Sequence, residues 1–171
     1  MNSSKPNALI FVDSNGQYGF GRYAGAYRIA TILRDMGIDT PVIDFTSYLS
    51  DDEFKAVVNK FVNKSTLFVG FSTTHMLPKW LNKEPPKSNE ELRRHHWSAH
   101  NFFTHTVDTF RKIVGLIKKI NPHIKIIVGG EKVQQNLKTE PCVDHWVLGE
   151  GDLAIKELTI NLLSNQPHQF D

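Results

Sequence analysis

The sequence predicts a three-layer α/β domain built on a doubly wound, five-stranded, mainly parallel sheet. Three observations carry that reading. Five short apolar runs, at 8–12, 40–44, 66–72, 124–128 and 143–148, alternate with segments of helical period. The runs ALIFV and STLFVGFS are apolar almost throughout, as strands buried on both faces are. Small, flexible or hydroxyl-bearing residues follow four of the five runs, in DSNGQYGFG, STTH, GGE and GEG. Such residues at strand carboxyl ends are what a ligand mouth in an open parallel sheet requires. Right-handed crossovers then join the strands, and the expected order is 2-1-3-4-5, in the Rossmann-like or flavodoxin-like manner.

The elements follow in chain order. After the first strand, Gly16, Gly19 and Gly21 are interleaved with polar residues, a strand–loop–helix arrangement in which backbone can approach a ligand closely. Arg22 to Met36 reads as a helix, with Ala26, Ile29, Ala30, Leu33 and Met36 on one face and Gly37 at its C-cap. The small Gly25 and Ala26 let this helix press close to the sheet or to a ligand. Pro41 places the second strand at an edge, or at its own start, because proline cannot donate to a ladder. Ser50 and Glu53 have capping-box spacing, and Phe54, Val57, Val58 and Phe61 continue as an apolar stripe. The third strand, 66–72, is central by composition.

From about 75 to 101 the periodicity fails, and three prolines and two tryptophans appear. This stretch exceeds what a compact α/β connection needs and reads as an insertion at the end of the third strand, with a short helix over 89–97. A long helix follows, carrying Phe103, Val107, Phe110, Val114, Ile117 and Ile120 on one face and ending at Asn121-Pro122. The fourth strand runs into Gly129-Gly130-Glu131. A weaker segment, 132–137, amounts to one or two helical turns. The fifth strand leads through Gly149-Glu150-Gly151 into a last helix from Asp152 to about Leu163, and a polar linker begins at about 164.

Composition narrows the function. The 171 residues, 40% hydrophobic and 22% charged, suit a single domain with a sizeable core. A net charge of +2, with no basic block, argues against nucleic acid as a partner. The start MNSSKPN has no apolar signal core, and no run approaches the ~20 apolar residues of a membrane span, so the chain reads as cytoplasmic and free of membrane. One cysteine, Cys142, excludes an internal disulfide and a cysteine-held cluster within this chain, and it reads as a small buried hydrophobe. His95, His96, His100 and His105 lack the accompanying ligand spacing of a metal site and read as polar surface. Glu131 and Glu150 have acid/base chemistry available, though capping or polar packing explains them. A phosphoacceptor receiver domain needs an aspartate at the end of the third strand, where Ser72-Thr73 stand. A P-loop is absent, and DSNGQYGFG is a poor flavin-phosphate loop.

Two stretches carry a family resemblance. INPHIKIIVGGEKV, followed by VDHWVLGEGDLAIKEL, resembles the cobalamin-binding-type domain at the N-terminus of many radical S-adenosylmethionine (radical SAM) enzymes. In that family a lysine-rich helix ends in Asn-Pro, a strand ends in Gly-Gly, and a vD-x-x-v-x-G-E-G-[ED] segment opens the last helix. GRYAGAYRIATILRDMGIDTPVID is similar to the family's first helix and second strand. The resemblance spans nearly the whole chain except 75–101.

It implies a corrinoid held on the strand ends. Asp13, Ser14, Asn15, Gly16, Gln17, Tyr18, Gly19 and Gly21 would face the ring from below. Ser72, Thr73 and Thr74 would line the pocket for the nucleotide tail. Gly129 and Gly130, with Glu131 beside them, would let that tail pass close to backbone, a Cβ there filling the channel. Gly149, Glu150 and Gly151 would close the same side. Corrinoid domains of the methionine-synthase type carry D-x-H-x-x-G, whose histidine ligates cobalt. Here Asn15 takes that position, so the expectation is a cobalamin with no protein histidine on cobalt. The family's C-x-x-x-C-x-x-C triad is missing, so the iron-sulfur cluster and S-adenosylmethionine are expected in a radical SAM catalytic domain, in cis beyond Asp171 or in trans. This chain alone is expected to catalyse nothing. The competing reading is a ligand-free α/β scaffold or interaction module, with the Trp80- and Trp97-bearing insertion covering the strand ends.

Overall fold

A computed structural model of the chain describes residues 5–13, 24–46, 49–72, 107–130, 133 and 140–164. The glycine-rich loop after residue 13, the insertion at 75–101 with its helix at 89–97, and the linker after 164 lie outside the described residues. So do Phe103 and most of 132–137.

The strands are β1 (Asn7–Phe11), β2 (Val42–Ile43), β3 (Thr66–Ser72), β4 (Lys125–Gly130) and β5 (His145–Leu148). The described helices are α1 (Ala24–Asp35), α2 (Asp51–Phe61), α3 (Val107–Ile120) and α4 (Asp152–Ser164). All four strand pairings are parallel, and the order is β2-β1-β3-β4-β5. The chain steps from β1 outward to β2, then crosses back over β1 to β3 and continues through β4 to β5. A right-handed crossover that reverses direction across the sheet lays its helix on the opposite face, so the reversal between β1 and β3 makes the fold doubly wound.

Side-chain alternation along the strands feeds two cores. Leu9, Phe11, Val69, Phe71, Ile126 and Val128 point to the face covered by α2 and α3, where they meet Phe54, Val58, Phe110, Ile113 and Ile117. The Phe11 ring stacks on Phe71 at 5.3 Å, and Phe71 meets Phe110 edge-on at 4.9 Å. Ala8, Ile10, Val12, Phe68 and Ile127 point to the other face, against Ala26, Ala30 and Leu33 of α1 and Ile155 of α4. This second layer, made mostly from smaller side chains, bears the candidate site.

Local chemistry sets the element ends. Ser50 Oγ accepts the Glu53 N–H at 3.3 Å, and a Glu53 carboxylate oxygen accepts the Ser50 N–H at 2.8 Å. The capping box read from the sequence is therefore formed, and the Ser50 N–H together with the Ser50 hydroxyl, which donates to the same carboxylate oxygen at 2.8 Å, holds the Glu53 carboxyl below its ordinary pKa. The second strand is shorter than the expected 40–44. Pro41 sits just before it on the sheet edge, contributing only its carbonyl, which accepts the Ile10 N–H at 3.1 Å. The fifth strand starts at His145 rather than 143, because the Val143 N–H closes a turn onto the Glu140 carbonyl at 3.2 Å. The fourth strand extends past 128 to take in the glycine pair, with Gly129 opposite Val147 and Gly130 opposite Leu148.

Candidate functional site

A cavity of about 280 Å³ lies between α1 and α4 on the smaller-side-chain face, where the strands end. Its floor is Ile10, Phe68, Gly70, Ile127, Gly129 and Val147, taken from four neighbouring strands. Its walls are Gly25, Ala26, Arg28 and Ile29 of α1 and Asp152 and Ile155 of α4. Ser72, Gly130, Gly149, Glu150 and Gly151 complete the rim.

The void has a steric origin. Gly25 lines the cavity from α1 and is exposed, and a Cβ built on it would meet no atom within 4 Å. Gly70 lines the cavity from β3, where an added Cβ would make only ordinary contacts, 3.7 Å to Ile10 Cγ1 at the nearest. A glycine inside an otherwise apolar strand marks a place of close approach, and here it removes a side chain from the floor of the cavity. At the far wall Gly151 admits Ile29: an added Cβ would come within 3.3 Å of Ile29 Cδ1. Arg28 of α1 and Asp152 at the start of α4 form an ion pair linking the two helices, with the Asp152 side chain 23% exposed. That pair neutralises itself beside an otherwise apolar chamber, which leaves exposed Glu150 as the remaining charge on the lining.

Seven of the expected site residues are described. Ser72, Gly129, Gly130, Gly149, Glu150 and Gly151 are brought together around the cavity. Asp13 is buried beyond the end of β1, 3% exposed, and does not line it. Ser14, Asn15, Gly16, Gln17, Tyr18, Gly19, Gly21, Thr73, Thr74 and Glu131 lie outside the described residues.

The glycine pair also has reasons in the fold itself. A Cβ on Gly129 would meet Val147 Cβ at 3.3 Å, so this glycine serves the close packing of β4 against β5. Gly130 has φ +127°, a conformation that side-chain-bearing residues rarely adopt, and Gly149 has φ +68°. Strand packing at Gly129 and backbone conformation at Gly130 and Gly149 account for glycine at these positions.

Two motif residues prove structural. Asp144 accepts the Ile126 N–H at 2.8 Å and Lys118 Nζ at 3.1 Å, with Lys125 Nζ at 3.6 Å. Burial pushes its carboxyl up, but the Ile126 N–H and the two lysines outweigh that and hold its pKa below the ordinary value. Asn121 is buried, its side-chain amide nitrogen facing the carbonyls of Asn63, Lys64 and Thr66. Cys142 is half-buried against the α2/α3 core, and its thiol donates to Glu140 Oε1 at 3.2 Å. Burial first, and then the Glu140 carboxylate, push this thiol up to about 12, so it is inert as a nucleophile.

Glu140 had no signal in the sequence. It is buried, and Arg111 Nε bonds both of its carboxylate oxygens at 3.2 Å. Among the described residues no group of His, Cys, Asp and Glu could hold a metal ion, and no helix is long and apolar enough to cross a membrane.

No family model matches the chain, and no curated protein is significantly similar to it. Among solved structures, the chain is similar to a protein from Listeria monocytogenes assigned as a cystathionine beta-lyase involved in aluminum resistance. The identity is 15% and the TM-score 0.40, over 74% of this chain and 27% of that one. The chain thus spans about a quarter of that protein's length.

Proposed function

We propose that this domain binds a cobalamin at the strand ends, as an accessory domain to a radical SAM catalytic domain in the same or another chain. The observation that carries the reading is the cavity between α1 and α4. At about 280 Å³ it sits near the low end of small-molecule sites, which run from ~300 Å³ upward. It suits one flat apolar group, such as the base of the nucleotide tail, with the remainder of the ligand outside, over the strand ends. Ile10, Phe68, Ile127, Val147 and Ile155 offer that group an apolar chamber, and the gap between Gly25 and Gly70 gives it room. The motifs of the family resemblance, Gly129-Gly130 and Gly149-Glu150-Gly151, fall on the rim of the same cavity.

The residues present fit the group. A bound corrinoid supplies cobalt chemistry that no side chain here provides; this chain binds and orients it and shields one end from water.

The test is retention. Purified protein mixed with hydroxocobalamin and desalted is expected to keep the corrin absorbance. Gly25→Leu fills the cavity from α1 without a backbone clash, since nothing lies within 4 Å of its Cβ. It is expected to keep the circular dichroism spectrum and reduce retention at least tenfold. Gly130 is a poorer probe, because its φ of +127° strains any side chain whether or not a ligand binds. No retention by the parent protein at high micromolar cobalamin would overturn the proposal and leave the scaffold reading.

A further inference from the structure

The large apolar side chains left exposed among the described residues all fall in the last β–α unit. They are Leu148 at 49%, Leu153 at 75%, Ile160 at 54% and Leu163 at 37%. The other helices turn polar residues outward, such as Arg34 and Asp35 on α1, Lys55 and Lys60 on α2, and Lys112 and Lys119 on α3. On α4, Ile155 and Thr159 are buried, and Leu158 and Leu162 pack on the core. Leu153 and Ile160 are two turns apart on the side of the helix away from the core. A helix apolar on both sides needs a second surface to cover it.

Lys156 and Glu157 lie between those two side chains, both exposed and neither ion-paired among the described residues. We propose that α4 is the contact helix of a homodimer, running antiparallel to α4 of a second copy about a twofold axis between Lys156 and Glu157. In that register Leu153 meets the second copy's Ile160, and Lys156 meets its Glu157, each contact occurring twice. The charge order is what selects a second copy over an unrelated partner. Opposite charges straddle the midpoint and apolar residues flank them at equal distance, which is the self-complementarity an isologous contact requires. The cavity lies on the other side of α4 and stays open in the dimer.

Sedimentation velocity on the full chain tests this. A concentration-dependent monomer–dimer equilibrium is expected, abolished by Ile160→Asp. Lys156→Glu and Glu157→Lys each turn two attractions into two repulsions, and each is expected to weaken self-association about tenfold or more. An equimolar mixture of those two variants restores both attractions and is expected to dimerise like the parent. All three positions are exposed, so circular dichroism should not change. A monomer at every concentration would overturn the proposal, as would a dimer indifferent to Ile160→Asp. Two weakened variants that fail to rescue each other would overturn the antiparallel register. A monomeric chain that uses this face for a different protein would overturn the choice of partner.

Discussion

Asn121 uses both ends of its side-chain amide. Its Nδ2 lies 3.3 Å from the Asn63 carbonyl, 3.4 Å from that of Lys64 and 3.3 Å from that of Thr66, and its Oδ1 accepts the His123 N–H at 3.1 Å. The residue is 8% exposed, so one amide pins the turn after α3 to the turn before β3. Asn121→Ala removes donor and acceptor together and leaves buried backbone groups short of partners. A loss of about 2–3 kcal/mol is expected, read from the urea midpoint. Asp144 gives a pH-dependent counterpart. Its folded pKa is lowered, so its contribution is fully present above the unfolded aspartate value of about 3.9 and is lost as pH falls through the lower folded value. The stability gap between the parent and Asp144→Asn is expected to be flat above about pH 5 and to narrow below about pH 4, as acid titration of the unfolding midpoint would record. A gap that widened in acid would contradict the pairing with Lys118 and Lys125.

At the scale of elements, periodicity and end chemistry carried most of the information. The box at Ser50 and Glu53 was legible because its partners are three residues apart, and the α2 stripe because one helix face repeats every three to four residues. Pro41 pointed to an edge position for β2 or to the strand's start, since a residue without an N–H is excluded from a central ladder, and in the structure β2 is an edge strand that begins just after it. Boundaries were less legible, because the Val143 N–H closes a turn onto Glu140 before the chain joins β4. α3 carries an avoidable weakness. Gly115 is exposed in its interior, and a Cβ there meets nothing within 4 Å. Gly115→Ala is expected to stabilise the protein by about 0.5–1 kcal/mol by restricting the unfolded backbone, seen as a higher denaturation midpoint with an unchanged circular dichroism spectrum.

At the scale of the whole molecule, the sheet order separates the two surfaces of interest. The reversal between β1 and β3 puts α1 and α4 on one face, and α4 belongs to the edge strand β5. Its inner side walls the cavity while its outer side carries Leu153 and Ile160. The proposed ligand retention and the proposed self-association are therefore expected to respond to different substitutions, Gly25→Leu acting on the first and Ile160→Asp on the second.

Alternating strand and helix periods make a five-stranded parallel sheet legible, and the right-handedness of crossovers narrows its strand order to a few arrangements. Both are properties of short stretches and of L-amino-acid chirality, whereas the choice of β2-β1-β3-β4-β5 among those orders belongs to the folded packing. The glycine-bearing strand ends likewise pointed to the rim at Gly129-Gly130 and Gly149–Gly151. The chamber beneath that rim was beyond such reading. It exists because Gly25, Gly70 and Gly151, far apart along the chain, are set around one space by the packing of α1 and α4 on the sheet. The Arg111–Glu140 pair and the anchoring of Asp144 to Ile126 depend in the same way on distances between remote residues. Local pattern decides which face a residue occupies; the folded packing alone decides which remote residue it meets there.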